Sequence, residues 1–115
     1  MKIPPSITIG NREYIVKEVK IVNFFNTINP LRLFKDDGTI IGQICKENHD
    51  IRLQKDLKPK KKKMVFFHEL AHGIMWEMEK SHPQVAAWSN DEAFTDKFGR
   101  MLSRTFDNLM KSQNQ

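Results

Sequence analysis

The sequence has very little cysteine, glycine or proline and no long apolar run. Cys45 is the only cysteine in 115 residues, which excludes an internal disulfide and a cysteine-rich zinc site. Five glycines and five prolines are too few for a fibrous chain. No apolar run exceeds four residues, as at residues 64–67, whereas a membrane span needs about 18. We therefore predict a globular protein without a transmembrane helix.

The amino terminus also lacks the apolar segment of ~7–15 residues found in secretory signals, so we expect a cytoplasmic protein. Nineteen Lys and Arg residues against fourteen Asp and Glu residues give a net charge of +5, a mild excess that attracts acidic partners at long range. The densest basic stretch, residues 58–63, joins two differently patterned halves, and we interpret it as a solvated connection or the start of a helix. The length predicts a single domain over residues 1–115.

The amino-terminal half alternates apolar and polar residues, as half-buried strands do. The alternation at residues 7–9 and 14–22 predicts a hairpin around a Gly10-Asn11 turn, and Asp37-Gly38 marks another turn. Further strands are predicted at residues 31–34, 39–45 and 51–53. Because the connections are too short for crossover helices, we expect a three- to five-stranded, mainly antiparallel sheet over about residues 6–57.

The carboxy-terminal half changes to a helical period. Apolar residues recur every three or four positions over about residues 61–79, and a second such stripe covers residues 94–109. A short helical turn is predicted between them, at residues 84–88. The fold class is therefore α+β: a small amino-terminal antiparallel sheet packed on a first helix and followed by a carboxy-terminal helix, with the helices over about residues 60–111.

The first helix contains His68-Glu69-Leu70-Ala71-His72, an H-E-x-x-H motif. Residues four apart lie one turn above each other, so both imidazoles face the same way and can bind one zinc ion at ~2.0–2.1 Å. Glu69 lies beside them, near the position of a zinc-bound water. The alternative is an accidental match, in which both histidines are partly buried helix residues bonded to carbonyl groups. We interpret the motif as a zinc site with one ion per chain.

A catalytic zinc site usually has three protein ligands, so a third donor must follow the motif. Met75 and Met78 stand where the metzincin pattern requires glycine and histidine, which excludes that class. His82 lies ten residues beyond His72 and reaches the metal only if the chain turns sharply there. Glu92 lies twenty residues beyond His72, at the start of the second helix, and is the other candidate.

The carboxylates of the second helix also have a purely structural interpretation. Glu92 is the last residue of a Ser89-x-x-Glu92 capping box, and Asp96, one turn later on the same face, can pair with Arg100. If Glu92 binds zinc, its carboxylate cannot cap the helix, and Ser89 or Asn90 must do so.

The segment at residues 90–96, Asn-Asp-Glu-Ala-Phe-Thr-Asp, resembles the glutamate-bearing helix of the gluzincins, the thermolysin-type zinc metallopeptidases. In that clan an Asn/Asp-Glu-x-x-x-Asp pattern follows H-E-x-x-H at about this distance. The resemblance covers roughly residues 64–102. The chain is much shorter than the large gluzincins, so it is more similar to the minigluzincins and to the compact catalytic domains of the ImmA/IrrE family.

The resemblance implies a role for each matching position. The ligands would be His68, His72 and Glu92. Glu69 would be the general base and acid, and Asp96 would orient a ligand imidazole through its other ring nitrogen. The implied activity is a zinc-dependent endopeptidase of bacteria or phages, which in several members of the ImmA/IrrE family cleaves DNA-binding repressors.

Substrate in this family adds as a strand to the sheet edge above the zinc. Residues 39–45 are the best match for that edge, with Gly42 giving close backbone access, although the same segment also fits an inner strand. Gly73 costs about 1 kcal/mol in a helix interior relative to Ala, which a close crossing of the second helix there would explain. An oxyanion donor is expected near the metal, and we keep His82 as the candidate. The other sources are Tyr14, His49 and Arg52.

Two functions from other classes remain open. One is an interaction module that retains zinc without turnover, and the other is a basic nucleic-acid-binding domain with a coincidental motif. We expect a protein or peptide substrate, no membrane partner and no direct nucleic-acid binding.

Overall fold

The structure is a computed structural model, and it describes residues 2–21 and 31–113, with the backbone alone at positions 31 and 32. The described residues form an α+β fold, a five-stranded sheet followed by helices. In this part of the chain no helix combines the length and apolar content needed to cross a bilayer.

The sheet contains five short strands in the order β1-β2-β5-β4-β3. All neighbours are antiparallel except β2 and β5, which are parallel. After β2 the chain continues at the far edge of the sheet with β3, and β4 and β5 follow as antiparallel neighbours. β5 therefore lies next to β2 and runs in the same direction. The predicted strand at 14–22 ends at Val19, and position 22 lies outside the described residues. The strands are β1 Ser6–Ile9, β2 Arg12–Val19, β3 Leu31–Asp36, β4 Thr39–Cys45 and β5 Asp50–Gln54.

The position of β4 decides between the two interpretations of residues 39–45. β4 pairs with β3 on one side and β5 on the other, so it is an inner strand and not the substrate-binding edge. Every residue from Ile40 to Cys45 is buried, which agrees with a position inside the sheet. In the described part of the chain, β3 is the edge strand on this side of the sheet. The prediction that the segment forms an edge was therefore wrong.

Helix α1, Pro59–Glu79, lies across the face of the sheet formed by Ile9, Ile44 and their neighbours. A Cβ added at Gly42 in β4 would lie 2.4 Å from Val65 Cγ1 of α1. A Cβ added at Gly73 would lie 2.7 Å from Ile9 Cδ1. Both glycines therefore bring α1 close to the sheet, which corrects the prediction that Gly42 opens the strand to substrate and that Gly73 makes room for the second helix.

The basic stretch forms the first turn of α1, with Pro59 at its start, as one of the two interpretations predicted. This turn contains no acidic residue, so its lysines meet the positive end of the helix dipole. Ion pairs with three other elements offset that repulsion. Lys61 pairs with Asp36 of β3, Lys62 with Glu18 of β2 and Lys63 with Asp107 of the last helix.

The chain leaves α1 through a 3₁₀ turn, Pro83–Val85, and the short helix α2, Ala86–Ser89. The last helix, α3, covers Glu92–Gln113 and packs along α1. Phe67 of α1 meets Phe106 of α3 at 5.8 Å between ring centroids. The layers are therefore sheet, α1 and α3, with α1 in the middle.

Candidate metal centre

The middle of α1 carries both motif histidines on one face. His68 is 4% exposed and His72 is fully buried, and their ring centroids are 5.1 Å apart. The helical spacing of four residues produces this arrangement directly, because such residues lie one above the other. The two imidazoles thus form one half of a common site.

Glu92 completes the group from the first turn of α3. Its Oε2 lies 3.3 Å from His68 Nε2 and 3.2 Å from His72 Nε2. One donor atom from each of the three residues falls within 4.8 Å of the others, an arrangement that could hold a metal ion. The structure therefore brings together the three residues that the family resemblance implies.

The beginning of α3 leaves the Glu92 carboxylate available for this role. Asp91 caps the helix, since its Oδ1 accepts a hydrogen bond from Phe94 N at 3.0 Å. Ser89 instead donates from its hydroxyl to Ala86 O, so no Ser89–Glu92 capping box forms. The predicted cap at Ser89 or Asn90 was one or two residues too early. Asp91 carried the ordinary signal of a capping residue directly before the helical pattern.

The close approach of the two helices depends on Gly99 of α3. A Cβ added there would lie 3.0 Å from both His68 Cα and Phe67 O. Backbone atoms of α1 leave no space for a side chain, so only glycine permits this separation. A close helix crossing was predicted correctly, but at Gly73 of α1. The missed signal is a glycine seven residues after Glu92, two turns along the same face of the second helix.

Asp96 lies near both a candidate ligand imidazole and Arg100, the two partners that its alternative interpretations gave it. Its Oδ1 lies 3.5 Å from His68 Nδ1, and its Oδ2 accepts a hydrogen bond from Arg100 Nε at 2.8 Å. The other ring nitrogen of His68, Nε2, faces Glu92. The hydrogen bond from Arg100 holds Asp96 in place from the next turn of α3. An exposed i, i+4 pair and a positioning role are thus compatible.

Glu69 is fully buried next to the two histidines. Neither of its carboxylate oxygens forms a hydrogen bond with a described residue. Burial raises the pKa of Glu69 well above its usual value, and the negative charge of Glu92 raises it further. A buried carboxyl group with no internal partner is costly for the fold, which marks Glu69 as a functional candidate.

The Glu92 carboxylate has the opposite tendency. Partial burial acts to raise its pKa, but hydrogen bonds and attraction from His68 and His72 prevail and lower the pKa to about 2. Its side chain is 53% exposed, so one side of the centre is open to solvent. Glu92 is therefore ionised at neutral pH, which is the form that binds a cation.

Two aromatic rings frame the histidines. Phe34 of β3 stacks on His68 with ring centroids 4.1 Å apart, and Trp76 stacks on His72 at 6.1 Å. Trp76 is 2% exposed and belongs to the hydrophobic core. Phe34 was not predicted to lie near the site. Its strand is distant in sequence from the motif, and no local pattern distinguishes it from other core aromatics.

The candidate oxyanion donors do not join this group. His82 is exposed, and its backbone N–H extends the last turn of α1 to Met78 O, which places it about 15 Å along the helix axis from His72. Tyr14 donates its hydroxyl to Glu77 Oε2 at 3.4 Å. His49 contacts Arg12, and Arg52 pairs with Asp50. The assignment of His82 stays a prediction without a supporting contact.

Comparison with protein-family models, curated proteins and solved structures gave no match.

Proposed function

We propose that this chain is a zinc-dependent endopeptidase of gluzincin type. The observation that carries the proposal is the convergence of His68, His72 and Glu92 on one point beside a buried carboxylate without a partner. Two histidines with a purely structural role, each in contact with Glu92, would account for His68, His72 and Glu92. This role would not account for Glu69, because burial of this carboxyl group without a hydrogen bond lowers the stability of the fold.

The donor set fits zinc in a catalytic environment. Two imidazole nitrogens and one carboxylate are the ligands of the His₂Glu class of catalytic zinc sites, which leave a coordination position open. The exposed side of Glu92 provides that opening. Asp96 supports the set, because its contact with Nδ1 of His68 leaves Nε2 to bind the metal.

The proposed reaction is hydrolysis of a peptide bond. Zinc bound at this centre supplies Lewis-acid polarisation of a carbonyl group and lowers the pKa of water toward ~7. Glu69 takes a proton from water at its carboxylate and returns it to the nitrogen of the leaving amine. Burial raises the pKa of Glu69, and a more basic carboxylate accepts the proton of water more readily than an exposed one does.

The substrate we propose is an extended segment of a protein chain. β3 is the edge strand beside α1, and its Phe34 touches His68. A segment that adds to β3 as a further strand would pass the metal centre with its carbonyl groups in reach. The family resemblance adds a cytoplasmic bacterial or phage setting and a DNA-binding repressor as the kind of substrate to test first.

The proposal is tested by comparing the wild type with Glu69→Gln. The variant keeps the shape of the side chain and removes the base, so both proteins should bind one zinc per chain. Cleavage of an unfolded protein or a mixed peptide library should fall at least ~10²-fold in the variant. A chelator should abolish wild-type cleavage, and added zinc should restore it. Equal inactivity of two zinc-loaded proteins would support the non-catalytic zinc module instead.

A further inference from the structure

A basic cavity of about 600 Å³ lies between the start of α1 and the middle of α3. Six cationic side chains line it, whereas Asp107 is its only acidic residue. Three of the cations take part in ion pairs: Lys61 with Asp36, Lys63 with Asp107 and Arg100 with Asp96. The other three are Lys58, Lys60 and Arg104.

These three cations form no ion pair with any residue that the structure describes. Lys58 and Lys60 also belong to the amino-terminal end of α1, where the helix dipole is positive. Cations are unfavourable at that end, whereas an anion is stabilised there. The cavity therefore combines unpaired positive side chains with the positive end of a helix dipole.

The cavity lies next to the metal centre, because three of its lining residues adjoin residues of that centre. Met64 lines it and lies one turn, about 6 Å along the axis, before His68. Gly99 lines it as well and abuts the His68 backbone, and Arg100 connects it to Asp96. The near end of the cavity, at Met64, therefore lies about one helical turn from His68.

The edge strand β3 contacts a residue of the metal centre and a residue of the cavity wall. Phe34 of β3 stacks on His68, and Asp36, two residues later or about 7 Å along the strand, pairs with Lys61 of the cavity wall. An extended segment paired with β3 would thus run from the metal centre into the cavity. We propose that this cavity binds an acidic stretch of the substrate chain, on one side of the bond that is cleaved.

The occupant favoured by the observations is a peptide with Asp and Glu side chains. The volume lies in the range of cavities that enclose small ligands. Single strands of nucleic acid are usually bound on aromatic platforms, and none of the lining residues is aromatic. Carboxylates on an extended peptide are complementary in charge to the six cations of the cavity.

This inference rests on the proposed function for the nature of the occupant, so the experiment separates the two. Binding is measured with Glu69→Gln, which does not cleave, and a labelled peptide carrying a run of Asp and Glu residues. Its Asn/Gln counterpart is the neutral control. The acidic peptide should bind at least tenfold more tightly, and the difference should shrink as salt increases.

A second comparison assigns the preference to the cavity. Lys58→Ala/Lys60→Ala/Arg104→Ala removes the three unpaired cations, and it does not break an ion pair within the described residues. The matched control, Lys2→Ala/Lys20→Ala/Lys55→Ala, has the same net charge and changes exposed lysines outside the cavity. The cavity variant should lose about tenfold in affinity for the acidic peptide, and the control variant less than twofold.

The outcomes distinguish the two proposals. If the wild type cleaves peptides without preferring bonds near acidic residues, the cavity inference is wrong and the endopeptidase stands. If acidic peptides bind through the cavity but are never cleaved, the cavity remains a docking site for acidic chains and the endopeptidase is wrong. Tighter binding of a single-stranded oligonucleotide, lost in the cavity variant, would overturn the peptide in favour of nucleic acid. Equal loss of affinity in both triple variants would mean general attraction and would overturn the site.

Discussion

Helices α1 and α3 supply the same metal centre but are held by the fold in different ways. α1 lies between the sheet and α3, and its whole central part is buried, including both histidines and Glu69. α3 buries only Thr95 and Gly99 along its 22 residues. The two ligands on α1 are therefore fixed by the packing of the core, whereas Glu92 is placed by a helix that has one face on α1 and the rest in solvent.

The two glutamates of the site show the same contrast in their pKa values. Burial raises the pKa of Glu69 on α1, whereas contacts with the histidines lower that of Glu92 on α3 to about 2. One carboxyl group tends to hold a proton and the other to stay ionised. In pairs of this kind, different environments assign different chemical roles to two identical side chains.

The largest expected effect comes from removing one ligand from each helix. Glu92→Ala and His72→Ala should each weaken zinc binding more than about 100-fold. Even the loss of a residue that only hydrogen-bonds to a ligand typically lowers metal affinity by about 10–100-fold. His72→Ala should also destabilise the metal-free protein by about 1–3 kcal/mol, since it leaves a hole in the core, and by more than Glu92→Ala, whose side chain is 53% exposed. Zinc content after dialysis and chemical denaturation measure the two effects. His82→Ala is the control and should keep its zinc; the reverse pattern, with zinc lost in His82→Ala and retained in Glu92→Ala, would refute the ligand assignment.

The next effect is the pH dependence of the metal-free protein. Because the pKa of Glu69 is raised in the folded state, this residue contributes stability below its usual pKa of 4.5 and loses it as the pH rises through the folded value. Glu69→Gln should therefore be more stable than the wild type at neutral pH. Denaturant unfolding at several pH values tests this, and a wild type that is the more stable of the two at neutral pH would contradict it.

Glu92 should give the opposite dependence. Its lowered pKa means that it contributes stability above about pH 4.5 and loses it as the pH falls toward 2. Glu92→Gln should accordingly flatten mainly the acid side of the stability profile, with a smaller change above pH 4.5 because the charge of Glu92 also raises the pKa of Glu69. If both Gln variants changed mainly the same side of the profile, the contrast between the helices would be wrong.

The glycines test which contact places α3. Gly99→Ala puts a Cβ 3.0 Å from backbone atoms of α1, so the helices must separate, at a cost of about 1–3 kcal/mol and with weaker zinc binding. Gly73→Ala meets the ends of two isoleucine side chains, which can shift, and it gains up to about 1 kcal/mol of helix propensity. Zinc titration and thermal unfolding compare the pair. Retention of full zinc affinity by Gly99→Ala would show that the close crossing does not position Glu92.

The smallest effect concerns the cap of α3. Asp91→Ala should cost about 1 kcal/mol, because Phe94 N loses its acceptor, whereas Asp91→Asn should cost little, since Asn caps equally well. Thermal unfolding of the metal-free proteins measures both. An equal loss in the two variants would show that the charge of Asp91 matters and not its capping oxygen.

Local periodicity explains which parts of the fold were predictable. The α+β class, the turn at Asp37-Gly38 and the two long helices all depend on residues close together in the chain, and the structure confirms them. The identity of the edge strand and the position of the closest helix contact depend instead on residues that are far apart in the chain. Whether β4 is an inner strand depends on its pairing with β5, and whether Gly73 or Gly99 meets the other helix depends on how α1 and α3 are rotated.

The sequence by itself determined the chemical types at the site and their position on α1, because a spacing of four residues has only one outcome in a helix. It also placed a Glu and an Asp one turn apart at the start of a second helix. Only the tertiary structure decided that these carboxylates reach the histidines, since backbone contact at Gly99 sets the distance between the helices. The tertiary structure alone also placed Phe34 against His68 and brought the cations of α1 and α3 together around one cavity. The reason is that contacts between segments distant in the chain form only when the layers pack.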